Sequence, residues 1–115
     1  MIAAAIGNLL AEVPALAPLR LVVGLDLRAR GDVQMYRVEL PGPRITRDIA
    51  PDAKVRVEMA RPTFNALAPD GRVRQWRTAI ERGEVKVTGV EQIIRLIAQV
   101  VAKQEERARA RRARR

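Results

Sequence analysis

This chain contains no cysteine, no histidine and no serine. The first absence excludes disulfides, thiol catalysis and thiolate-bound zinc. The second removes the commonest general base and the commonest metal ligand. The third removes the usual hydroxyl nucleophile. Aromatic residues are scarce at 3 %, being only Tyr36, Phe64 and Trp76, too few for a base-stacking platform. No helix-turn-helix or zinc-finger spacing is present, and the scattered turn aspartates do not form a calcium loop. No stretch reaches the ~20 uninterrupted apolar residues of a membrane-spanning helix. Glu81 and Glu84 straddle Gly83 at an expected helix end, a structural placement rather than a catalytic pair. The chain is therefore read as a non-enzyme, with no cofactor implied.

What is present suffices for one domain with one core. The chain has 115 residues, 48 % of them hydrophobic and 30 % charged. The apolar start "MIAAAIGNLLAEVPALAPLRL" is not expected to be a signal peptide. No Lys or Arg precedes the apolar run, and Glu12 and Pro14 interrupt it. Lack of cysteine fits a cytoplasmic setting. The net charge is +9, of which +5 lies in residues 103–115. Residues 105–115 are thus expected to be a basic tail, helical or disordered, behind a domain spanning 1–104.

Hydrophobic spacing predicts the elements. Ile2, Ile6, Leu9, Leu10 and Val13 recur at helical spacing until Pro14 and Pro18 intervene. Leu19 to Leu27 alternates as a half-buried strand, and Arg30–Asp32 supplies a hairpin turn. Tyr36, Val38 and Leu40 carry a second strand, Pro41–Pro43 a turn, and Arg44–Ile49 a third strand. Val55, Val57 and Met59 alternate with charged neighbours in a fourth. Pro62 suits a first helical turn, with Phe64 and Leu67 inward. Asp70 is placed to cap a second helix, in which Val73, Trp76, Ala79 and Ile80 recur and which Gly83 stops. Val85 and Val87 form a short fifth strand. Gly89 then turns the chain into a helix with a wide apolar stripe from Val90 to Val101. The expected fold is α+β, a five-stranded, mostly antiparallel sheet with helices packed on one face, the last of them lying across it as a lid.

Two stretches resemble the sterol carrier protein type 2 family. "DAKVRVEMARPTFNAL" is similar to the family's strand and following F-x-x-L helix. "WRTAIERGEVKVTGVEQIIRL" is similar to its glycine, short strand, glycine and last helix, with Gly89 matching the glycine before that helix. Val90 stands where the family often has Asp, so Thr88 or Gly89 is expected to cap the helix. Arg61-Pro62 replaces the usual acidic helix start. The short first helix and charged last helix also resemble ubiquinone-biosynthesis accessory proteins containing such a domain.

The resemblance implies an apolar tunnel for a hydrophobic small molecule: a sterol, fatty acid, acyl-CoA or isoprenoid lipid. The residues assigned to it are Val57, Met59, Phe64, Leu67 and Trp76, with Ile80, Ile93, Ile97 and Val100. By pattern alone the same stripe reads simply as a packed core, and only the resemblance makes it a cavity lining. The alternative is accordingly an accessory module for protein interaction or homodimerisation. The tail arginines, Arg107, Arg109, Arg111, Arg112, Arg114 and Arg115, admit three readings. They are a solvated helix end, a docking patch for an anionic membrane or a lipid-metabolising enzyme, or a nucleic-acid contact. The scarcity of aromatics disfavours the last.

Overall fold

The computed structural model describes residues 1–40, 42–69 and 71–113. Two sequence expectations, the Pro41 part of a turn and the Asp70 cap, lie outside these residues. The elements run α1 (Ile2–Glu12), a single 3-10 turn (Pro14–Leu16), β1 (Leu21–Ala29), β2 (Asp32–Leu40), β3 (Arg44–Thr46) and β4 (Val55–Ala60). They continue with α2 (Arg61–Leu67), α3 (Val73–Glu81), β5 (Val85–Gly89) and α4 (Glu91–Ala113). The strand order is β3-β2-β1-β4-β5. Every neighbouring pair is antiparallel except β1 with β4, which is parallel.

The alternation of each strand divides the sheet into unlike faces. One face carries cross-strand apolar rows: Ile45, Val38, Val23 and Val55; Tyr36, Leu25, Val57 and Val87; and Leu27, Met59 and Val85. Ala5 of α1, Phe64 and Ala68 at α2, and Ala79 of α3 join this face in one core, so the helices gather on one side. Leu27 and Met59 at its centre are 0 % and 1 % exposed. Removing apolar side chains of this kind from water stabilises the fold by ~1.5–3 kcal/mol each.

The other face is polar and carries the crossover. From edge strand β3 the chain must return beside β1, and residues 47–54 do this. Arg37 and Arg56 flank Gly24 in register on this face. Arg37 binds Asp52 at 2.7 Å and also pairs with Glu39. Arg56 donates to the Ala50 carbonyl at 3.2 Å and to Asp26 at 3.2 Å. Gly24 makes room for this: a Cβ there would stand 3.0 Å from the Arg56 guanidinium. Asp26 is 5 % exposed, so its charge is held inside the fold by Arg56.

Four details depart from the sequence reading. β1 begins at Leu21 rather than Leu19, on the same alternation. β3 stops at Thr46, because it pairs with only Arg37 to Glu39 of β2 and the crossover must then leave the edge. Asp48 accepts the Ile49 N–H at 2.8 Å in that departure. α4 starts after Val90, whose carbonyl accepts the first bonds from Ile93 and Ile94. Neither Thr88 nor Gly89 holds the cap position, and Glu91 in the first turn complements the helix dipole instead.

Candidate ligand-binding surface

Gly89 sets where α4 begins. Its φ is +137°, and Val90 N–H donates to the Lys54 carbonyl at 2.8 Å, fastening the helix entry to the start of β4. From there α4 runs 23 residues as one helix, carrying the basic residues 107–112 on the same continuous element. No residue of α4 is fully buried. It touches β5 and the Pro14–Leu16 turn, and its isoleucines do not join the core cluster. The expected lid is therefore half-seated. Ile93, Ile94, Ile97, Val100 and Val101 are each half-buried, and Leu96 is 48 % exposed.

Eight of the nine expected lining residues separate into three groups. Met59 and Phe64 are buried in the core. Val57, Leu67 and Trp76 sit half-buried at its rim. Trp76 packs on Phe64 with ring centroids 6.5 Å apart and planes tilted by 54°, which fixes α3 to the core. Ile93, Ile97 and Val100 lie along α4, outside that cluster. Ile80, the ninth, lies apart from these: it is 42 % exposed. α3 turns Val73, Trp76 and Ala79 inward at a spacing of three, which rotates Ile80 away before Gly83 ends the helix.

A second feature was not singled out in the sequence. α3 and the far half of α4 form the walls of an open groove of about 770 Å³, reached also by Glu12 and Val13 at the end of α1. Arg72, Arg74 and Arg77 line one wall; Arg109, Arg111 and Arg112 line the other. Glu12, Glu81 and Glu105 also line it. Two of these carboxylates are engaged within the fold. Glu12 accepts the Val73 N–H at 3.1 Å, closing the α3 N-terminus, while Arg72 N–H donates to the Gln75 side chain at 2.7 Å. Glu105 pairs with Arg77, a hydrogen bond that raises the Arg77 pKa further above its ordinary value. The signal in the sequence was "RVRQWR", three cations on a helix otherwise anchored by Val73 and Trp76. Arg107 is exposed on α4, and Arg114 and Arg115 lie outside the described residues.

Among the described residues no group of three or more acidic, His or Cys side chains is placed to hold a metal. No helix among them is long and apolar enough to cross a membrane.

This architecture is the sterol carrier protein type 2-like fold. The chain is similar in structure to palmitated SCP2L2 from Aedes aegypti, with a TM-score of 0.60 and 17 % identity over 87 % of this chain and 93 % of that one. It is similar to the crystal structure of sterol carrier protein 2 like 2 from the same organism (TM-score 0.58, 18 % identity, 86 % and 94 % covered). It also resembles the apo form of sterol carrier protein 2 from Yarrowia lipolytica (TM-score 0.53, 14 % identity, 66 % and 69 % covered). No family model matches the sequence, and no curated protein sequence matches it.

Proposed function

We propose that this chain binds a hydrophobic ligand without transforming it, and carries or presents that ligand to others. The observation that supports this reading is the incomplete cover of its apolar surfaces. Val57 and Val87 remain half-buried on the sheet, and α4 keeps a half-buried aliphatic face of Ile93, Ile97 and Val100 outside the core. A long apolar ligand laid against α4 would remove more of that surface from water, at ~25 cal/mol per Å². Selection would then be by shape and length, with a few polar groups fixing orientation. The similar Aedes aegypti protein is described as palmitated, which supports a fatty acyl chain as the ligand class.

Delivery completes the proposal. The exposed Arg107, Arg109, Arg111 and Arg112 favour an anionic membrane surface or an acidic patch on a lipid-metabolising enzyme in the cytoplasm, each basic residue contributing ~1 kcal/mol near such a membrane.

A fluorescent fatty acid titrated into the protein tests the binding. Saturation at one ligand per chain is expected, and Val100→Trp should weaken it by at least about tenfold, or 1.4 kcal/mol. Because Val100 is only half-buried, the variant should still fold. Failure of the unmodified chain to bind any acyl chain would overturn the proposal.

A further inference from the structure

The inward face of α4 changes chemistry along its length. The half-buried positions Ile93, Ile97, Val100 and Val101 are followed by Gln104, Glu105 and Ala108, also half-buried. At 100° per residue these share one side of the helix, so the same side runs on without rotation. Before Gln104 it is aliphatic. From Gln104 onward it forms a wall of the arginine-lined groove. At 1.5 Å per residue, the apolar start at Ile93 and the cation at Arg111 are about 27 Å apart along one seam.

The groove end of the seam is cationic on both sides. Six guanidiniums and three carboxylates line it. Arg77 is taken by Glu105, and Glu12 by the α3 backbone. Among the described residues, Arg72, Arg74, Arg109, Arg111 and Arg112 make no ion pair. Two facing arginine walls suit a compact dianion better than a single carboxylate. Guanidinium forks match phosphate oxygens, and a phosphate monoester carries nearly two charges at neutral pH. The concave shape suits one head group between the walls, while Arg107, which does not line the groove, is left for the membrane contact of delivery.

We infer that the preferred ligand is a single-chain amphiphile with a phosphate head, its tail on the apolar half of α4 and its phosphate between Arg72 and Arg74 of α3 and Arg109 and Arg112 of α4. This inference rests on the proposed carrier function and narrows its ligand class.

The test compares two ligands with the same palmitoyl tail, lysophosphatidic acid and the neutral monopalmitoylglycerol, each below its micellar concentration, on the full chain. Glycerol phosphate serves as a tail-less control and phosphatidic acid vesicles as a membrane control. Lysophosphatidic acid should bind at least about tenfold more tightly than the neutral ligand. That preference should shrink with added salt, and it should vanish in Arg74→Gln/Arg109→Gln with the neutral ligand unaffected. Both side chains are exposed, so the double variant should keep its fold. Equal binding of the two palmitoyl ligands would overturn the head-group inference and leave the carrier function standing. Binding of neither would sink both. Glycerol phosphate binding as tightly as lysophosphatidic acid would contradict the shared seam. Vesicle binding without preference for the monomeric phosphate ligand would make the groove a membrane-docking surface and overturn the inference.

Discussion

Replacing Gly89 with alanine should do far more damage than its size suggests. A Cβ at Gly89 would stand 2.2 Å from the Lys54 carbonyl oxygen and 2.9 Å from Val55 Cα. Both are backbone atoms of β4's start, so no side-chain rotation relieves the clash. The Lys54 carbonyl is also held by the Val90 N–H at 2.8 Å, and moving it sacrifices that bond. Strain at a φ of +137° costs ~1–3 kcal/mol, and the lost hydrogen bond about 1 kcal/mol more. The expected destabilisation is about 3 kcal/mol or more, a large share of the ~5–15 kcal/mol of a typical domain. Gly83 is the matched control. Its φ is +77°, but a Cβ there meets nothing within 4 Å, so Gly83→Ala should cost only ~1–2 kcal/mol. Urea unfolding followed by circular dichroism reads both. With a slope of ~1–3 kcal/mol per molar, the Gly89 variant should lose at least about 1 M from its midpoint, and clearly more than the Gly83 variant. An effect at Gly89 equal to or smaller than that at Gly83 would refute the account of how α4 is fastened to β4.

Other consequences follow from the same contacts. Gly7→Ala, in the interior of α1 with open space around it, should raise stability by ~0.5–1 kcal/mol in the same unfolding assay. Arg56→Met strands the Asp26 carboxylate and should cost about 2 kcal/mol, partly recovered when Asp26→Asn is added in a double-mutant cycle. Phe64→Ala, at 3 % exposure, should cost ~3–5 kcal/mol, whereas Ile80→Ala at 42 % exposure should stay within ~0.5 kcal/mol. Arg37 holds the pKa values of Asp52 and Glu39 below their ordinary values, chiefly through its hydrogen bonds to them. Groups depressed on folding stabilise above the unfolded pKa and lose that contribution as pH falls through the folded one. A thermal melt series should therefore show Arg37→Met with a shallower loss of stability below about pH 4, small in amplitude because the pairs face solvent.

Much of this fold is legible in the residues themselves. The period of two in Val55, Val57 and Met59 marks β4, and Gly83 and Gly89 bracket β5. What alternation does not encode is which strands meet. β1 and β4 are both apolar on alternate residues, and only the crossover of residues 47–54, tied by Arg37 and Arg56, brings them together in parallel. A helical stripe likewise states which side of α4 is apolar, not whether that side reaches the core. Ile80 looked inward because it follows Ala79 at the edge of the stripe; Val73, Trp76 and Ala79 filled the contact first. The arginine wall of α3 is not legible in the sequence, because its cations become a site only when the far half of α4, held by Arg77 and Glu105, stands opposite.

Native mass spectrometry of the purified chain mixed with palmitate tests the central claim most directly. The account predicts a complex with one palmitate per chain that survives desolvation and is depleted in Val100→Trp. A bare chain mass that stays unchanged across palmitate and a panel of longer acyl chains and sterols would contradict it.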